Sequence, residues 1–414
     1  MKDYIRLKKV ELGDRRIDYR FESSLRFFDR DMFSIWYDHD FEAPSAGIAA
    51  VPFAAVMAPF MWMSGADLEL EVLDEGFADS LQKAKEYYHH WFSKKWLFTG
   101  RLKTSTQENE RRADGEGVLY SGGLDALTTY IRHRDAKPEL FSFFGADVPL
   151  KQTKLVEACR KSFKEFADLE RVKHWCMESD FWTLFDHKKL KRWTSNWWGE
   201  TCHAMVLAAL TAPVRYRQLG KLWIASSHAA GSIDYGWGSD YDLDNRLHWG
   251  STRLEEDYPH ASRFEKMKYF KDFPQYHRFL RVCYTWWNWS GNRINCSRCE
   301  KCYRSICELL LNGVDPEKCN FSVHEKTFED LKKALQKSHV YYTFFNNSPA
   351  AVCFWREMQD AATQDAGLDR YGSHEFFRWL VRYKGLETMR TSFRGRLVYW
   401  ARILRWNLFH RRRV

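Results

Sequence analysis

The chain has no internal repeat and no low-complexity tract, which excludes a solenoid, a fibre or a largely disordered polymer. Its first ten residues, Met1–Val10, are charged and lack an apolar stretch, so no secretory leader is expected. One run, Ala46–Met63, holds eighteen uncharged residues and just reaches the length of a membrane span. Pro52 and Pro59 interrupt that run and Ala and Gly dilute it, so a buried helix is the expectation. Ten cysteines in 414 residues do not make a small disulfide scaffold, and a cytoplasmic protein is expected. Acidic residues are absent from 390–414, where eight arginines lie (Arg390, Arg394, Arg396, Arg402, Arg405, Arg411, Arg412 and Arg413). The formal net charge is +9, so the chain without those eight carries +1, and the basic character belongs to the tail. Such a tail suits nucleic acid or an anionic membrane surface as partner, or simply a solvated basic end.

What is present is ample core material, with 45% hydrophobic and 17% aromatic residues, and length enough for two or three units. Ala66–Val72 alternates with period two and reads as a half-buried strand, and Phe77–Phe92 carries apolar residues at helical spacing. The polar stretch Thr104–Gly117 reads as a linker. Beyond it the pattern changes. Strands are expected at Val118–Tyr120, Leu140–Ala146, Arg171–Met177 and Leu222–Ser226. Helices are expected up to Arg134, over Leu150–Ala167 and over Gly199–Leu210. Strands alternating with helices imply a parallel α/β sheet. From about residue 322 the pattern is helical only, with dense aromatics such as Trp355, Phe376, Phe377 and Trp379. The expected layout is an α+β domain over 1–105, an α/β nucleotide-binding domain over 115–320 and a helical region with a basic tail over 321–414.

Ser121-Gly122-Gly123-Leu124-Asp125 sits where a strand hands over to a helix. Glycines there allow a tight turn, and the free N–H groups of the first helical turn favour an anion. The spacing is neither GxxxxGK[ST], since no lysine follows to reach a γ-phosphate, nor GxGxxG. Val118–Asp125 resembles the SGGxDS loop of the PP-loop ATP pyrophosphatases (the HUP-type parallel α/β fold). That resemblance implies ATP and Mg²⁺ as cofactors, with the loop holding pyrophosphate while a substrate oxygen attacks the α-phosphate. Ala126 departs from it, because the family has Ser or Thr there; Thr128 and Thr129 follow closely.

Cys296-x2-Cys299-x2-Cys302, with Cys283 upstream, offers four thiolates from two nearby segments and suits a closed tetrahedral Zn²⁺ site. An iron–sulfur cluster and free thiols are the alternatives. The ferredoxin run C-x2-C-x2-C-x3-C-P is not matched, because four residues, not three, separate Cys302 from Cys307 and no proline follows. The glycine loop followed by this cysteine set is similar to 7-cyano-7-deazaguanine synthase and its uncharacterised bacterial relatives, over about residues 115–313. The resemblance implies a zinc site at Cys283, Cys296, Cys299 and Cys302, adenosine near Gly145, Ala146 and Asp147, and substrate-side segments at Gly238–Asp240 and Trp249–Thr252.

Ligands in parallel α/β sheets bind at the carboxyl ends of the strands, so Ser226, Ser227 and His228 are further candidates. The loop from Ala229 to Thr252 is long enough to be a lid. Arg263 is a candidate phosphate or carboxylate clamp and Lys266 a candidate stabiliser of charge on the α-phosphate, or both lie on a surface helix face with Glu265 as partner. His203 and His228 are acid/base candidates or structural histidines. The expected activity is adenylylation of a carboxylate or amide substrate, a small acid or modified base, with Ser121, Asp125, Arg263 and Lys266 as catalytic residues. Gly122, Gly123, Leu124, Asp147 and Ser227 would complete the nucleotide site. The alternatives are a catalytically weakened nucleotide-binding module in an assembly and a tRNA-modifying enzyme that uses the arginine tail.

Overall fold

A computed structural model of the chain describes residues 2–109, 112–194, 196–227, 229–230, 235–283, 293–338, 349–364 and 367–388. It divides into two compact units, Met1–Ala261 and Ser262–Val414.

The first unit is built on one eleven-stranded sheet. In chain order the strands are β1 (Tyr4–Leu12), β2 (Arg16–Ser23), β3 (Met32–Tyr37), β4 (Asp67–Asp74), β5 (Leu102–Gln107), β6 (Gly115–Leu119), β7 (Glu139–Phe144), β8 (His174–Ser179), β9 (Leu219–Ala225), β10 (His248–Trp249) and β11 (Thr252–Asp257). Across the sheet they run β10-β11-β9-β6-β7-β8-β3-β2-β1-β4-β5. β11, β9, β6, β7 and β8 are mutually parallel. Numbered by first appearance, these five strands stand in the order 3-2-1-4-5, so the winding reverses between β6 and β9.

The four strands expected from the apolar runs after residue 117 are all present, and so are the helices Leu124–His133, Thr153–Glu170 and His203–Ala209. The last is preceded by a π-helical turn, Trp198–Cys202. The expected boundary near residue 105 does not coincide with the division seen. β3 pairs antiparallel with β8 through Ile35↔Ser179, Trp36↔Glu178 and Tyr37↔Met177, which joins the N-terminal strands to the parallel sheet. The polar segment read as a linker contributes β5 and the start of β6, with only a short connection between them. β5 reads as polar because it is an edge strand, paired on one side with β4.

The uncharged run becomes the helices Ala46–Ala49 and Val51–Ser64, with every residue from Val51 to Met63 buried. Pro52 occupies the first turn, where a missing N–H costs nothing, and Pro59 is accommodated inside the helix. Among the described residues no helix is long and apolar enough to cross a membrane. Asp74 closes this part of the unit. It caps the helix Glu75–Phe92, accepting from Phe77 N–H at 2.9 Å, and also accepts from Gly250 N–H at 3.2 Å and Asn109 Nδ2 at 3.1 Å.

The second unit is helical among its described residues, with Arg263–Phe270, Glu300–Leu311, Thr327–Ser338, Pro349–Gln364 and Ser373–Arg382 as its longer helices. Beyond residue 322 the described elements are helices. The arginine tail 390–414 lies outside the described residues.

Asp74→Ala removes three acceptor bonds at a site 1% exposed, so we expect a loss of about 1–3 kcal/mol, read as a lower urea midpoint for the first unit.

Candidate functional site

β6 ends in buried Val118 and Leu119, and Tyr120 stays hydrogen-bonded to the sheet through its N–H to Phe141 O at 2.7 Å. The chain then turns away in three residues. Ser121 is exposed, and its Oγ accepts the Gly123 N–H at 3.3 Å. Gly122 has φ +71°, a conformation that costs about 1 kcal/mol or more with a Cβ. Gly123 is the N-cap of the helix Leu124–His133, and no side chain caps it. A helix start capped by glycine offers its N–H groups and the positive end of its dipole to an anion from outside. Asp125 lies in that first turn and is half-buried.

Ala126 is buried at 4% exposure, so the position where the resembling family has a hydroxyl is filled by a methyl group. Thr128 and Thr129 do not replace it: both are 1% exposed. The Thr128 hydroxyl is sealed from solvent and has no hydrogen-bond partner among the described residues.

Other candidates share the carboxyl edge of the parallel strands. After β9, Ser226 is buried with its N–H on Asp257 O at 3.3 Å, and Ser227 is exposed. After β7, Gly145 has φ +129°, and a Cβ there would stand 2.1 Å from Ser179 O, so no other residue fits without a backbone shift. Asp147 is exposed two residues on. Ser121, Asp125, Asp147 and Ser227 thus lie at one edge of one sheet. His228 is outside the described residues. His203 packs edge-on against Trp198, with ring centroids 5.3 Å apart.

The described part of the loop before β10 is tied down. Gly238 N–H donates to Gly199 O at 2.7 Å, Ala204 N–H donates to Gly238 O at 2.8 Å, and Tyr87 Oη donates to Trp237 O at 3.1 Å. Ser239 Oγ donates at 2.9 Å to Asp244, a fully buried carboxyl that burial, with neighbouring Glu256, pushes well above the usual range. Trp249–Thr252 form the β10–β11 turn, which lies at the amino end of β11 and so at the opposite edge from the glycine turn. Thr252 Oγ1 bonds Leu219 O at 2.8 Å, and Gly250 is held by Asp74, so this segment is fastened to its surroundings.

Arg263 and Lys266 fall in the second unit. Ser262 and Glu265 form a capping box, with Ser262 Oγ accepting Glu265 N–H at 3.2 Å and Glu265 accepting Ser262 N–H at 2.7 Å. Glu265 is therefore engaged in capping. Arg263 faces inward, 3.6 Å from Glu308 Oε2, at 10% against 2% side-chain exposure, and Lys266 is 3% exposed. Neither is on a surface face.

The second unit also gathers the four cysteines. The Sγ atoms of Cys283, Cys296, Cys299 and Cys302 all lie within 4.8 Å of one another, with Cys283–Cys299 at 4.0 Å and Cys296–Cys302 at 3.8 Å. These are not disulfide distances, since a disulfide holds its sulfurs at about 2.05 Å. They match the S···S edge of about 3.8 Å for a tetrahedron with metal–sulfur bonds of about 2.3 Å. The Cys299 N–H points to Cys296 Sγ at 3.3 Å, a donor that steadies a thiolate. Hydrogen bonding to Cys283 and Cys296 pushes the Cys299 thiol far above its ordinary range, and burial does the same for Cys302. Four sulfurs so crowded ionise together only around a cation, so the group fits a metal ion such as zinc. Cys307 is fully buried and takes no part.

Asn295 was not legible as part of this site. It is 3% exposed, its Oδ1 accepts from Val282 N–H at 2.9 Å and Cys283 N–H at 3.2 Å, and its Nδ2 donates to Leu280 O at 2.8 Å. It thereby braces the Cys283 arm against the Cys296–Cys302 knuckle. Its place immediately before Cys296 was the only signal available.

Compared with known protein families, with curated proteins and with solved structures, the chain finds no match. The functional reading therefore stands on the residues and their geometry.

We expect zinc at one equivalent per chain by elemental analysis, with Cys302→Ser losing most of it. Asn295→Ala should weaken metal retention against a competing chelator by about 10–100-fold while leaving all four thiols in place.

Proposed function

We propose that the first unit binds ATP with Mg²⁺ at Ser121–Asp125 as a PP-loop domain of the HUP type. Its activity is to adenylylate a carboxylate or amide substrate with release of pyrophosphate. The observation that carries this reading is the position of the Ser-Gly-Gly-Leu-Asp turn. It leaves the carboxyl end of β6 beside β9, where the strand order reverses and the open crevice of such sheets lies. The turn ends in an uncapped helix start, suited to a polyphosphate. Asp125 is the nearest carboxylate for a phosphate-bridging Mg²⁺, and Asp147 and Ser227 stand after the neighbouring strands for the nucleoside. A nitrogen nucleophile would then displace AMP from the activated acid, as the resemblance to 7-cyano-7-deazaguanine synthase suggests. In this reading the cysteine cluster of the second unit would hold Zn²⁺ as a structural ion.

Ala126 favours a second reading, a module that binds nucleotide but turns it over poorly. The missing hydroxyl removes one phosphate contact, and no buried threonine nearby restores it.

Calorimetry of ATP binding with Mg²⁺ tests the site, with Asp125→Ala expected to abolish binding and Ala126→Ser to tighten it about tenfold, or about 1–1.5 kcal/mol. A folded chain that ignores ATP would remove both readings. Tight binding with no pyrophosphate release from mixtures of small carboxylic acids, in wild type and in Ala126→Ser alike, would leave the module.

A further inference from the structure

The cysteine cluster is built into the start of a helix. Cys299 is the N-cap of Glu300–Leu311 and makes no side-chain capping bond, and Cys302 lies in the first turn. Four thiolates around a divalent ion carry a net charge of about −2, the sign that a helix N-terminus favours. The ion site therefore stands where a Ser or Asp cap would otherwise be.

Glu300, between two of the ligands, is 4% exposed. Its Oε1 accepts the indole N–H of Trp355 at 3.0 Å and stands 3.1 Å from Nε of Arg304, itself 3% exposed. The Arg304 guanidinium lies 4.2 Å from the Phe354 ring centroid. Phe354 and Trp355 belong to the helix Pro349–Gln364, which also buries Val352 and Met358. That helix holds the next in turn: Gln359 Nε2 donates to Leu380 O at 2.7 Å and to Tyr383 O at 3.0 Å, and Arg356 Nη2 donates to Leu386 O at 3.0 Å.

A buried ion pair offsets its desolvation only when its geometry is fixed, and a buried indole N–H needs its acceptor in place. Both conditions fall on Glu300. Its position is set by the first turn of its helix, and that turn is pinned at Cys299 and Cys302.

We propose that the ion-loaded cysteine cluster is a latch for the C-terminal helices. It holds the helices Pro349–Gln364 and Ser373–Arg382 onto the helix Glu300–Leu311 through Glu300, so that loss of the ion releases them while the first unit stays folded. This rests on the cluster holding an ion, the metal part of the reading above, and is independent of ATP.

Hydrogen exchange read by mass spectrometry on the full chain tests it, before and after removal of zinc by a chelator, with metal content followed in the same samples. Amides of 352–382 should exchange on the order of tenfold faster or more after chelation, while those of β6 to β9 keep their protection. Trp355→Phe removes the indole donor together with part of a fully buried ring, and should raise exchange in 352–382 several-fold with zinc still bound. Unchanged protection of 352–382 after verified zinc loss overturns the latch. So does protection lost everywhere, β6 to β9 included, since that marks a general staple. An unaltered 352–382 in zinc-loaded Trp355→Phe overturns the route through Glu300. A chain that takes up no zinc at all refutes the metal reading itself, a different failure.

Discussion

The register between β6 and β9 is the constraint on which the carboxyl edge of the first unit depends. Val118 pairs with Trp223 and Gly117 with Leu222, so two strands far apart in sequence end side by side. From that seam the chain winds outward through β7 and β8 on one side and through β11 on the other. A reversal of this kind is where the crossovers of a parallel α/β sheet part and a crevice forms at the carboxyl edge. A serine–glycine turn has no chemistry of its own. It becomes a candidate anion site because this register puts it at a reversal, with Gly122 in a left-handed conformation and a helix opening behind it.

Four of the five parallel strands, β6 to β9, were legible because each carries a short apolar stretch that reads as a buried strand, whereas the charged TRLEED of β11 does not. The seam between β3 and β8 was not. Antiparallel pairing leaves no periodic mark that says which strand it will meet, and the partners Ile35 and Ser179 stand 144 positions apart in the chain. β5 was misread for a related reason: an edge strand has one solvated margin, so TSTQ looks like a linker when composition alone is read. The glycine turn was legible in full. Its neighbours Asp147 and Ser227 followed from strand ends, whereas Trp249–Thr252 were assigned by likeness and fall at the opposite edge.

In the second unit the cysteine spacing announced the ion site, but what supports it is carried by long-range contacts. Asn295 ties two backbone segments together through one amide, and nothing in its local sequence distinguishes it from a turn asparagine. Glu300, Arg304 and Glu308 recur at intervals of four on a helix, a pattern that on sequence alone reads as a solvated charged stripe. In the structure all three are buried, because Trp355, Phe354 and Arg263 cover them. Charged residues at helical spacing thus mark an interior hub here, and only the packing partners reveal it.

The remaining question is what a glycine turn of this kind can contribute to rate. Backbone N–H groups grip a polyphosphate about equally before and during attack at the α-phosphorus, so the turn supplies affinity more than acceleration. Acceleration needs charge that meets the transition state, and Ser121–Asp125 brings hydroxyl, amide and carboxylate groups but no cation. Arg263 is already answered by Glu308 within its own unit. For the proposed reaction a divalent ion held with Asp125 would be the first requirement, and the methyl group of Ala126 would weigh on how firmly the phosphates are placed against it. Under the proposed function nucleotide binding and catalysis would be separable, and the step from one to the other would depend on the ion more than on the turn.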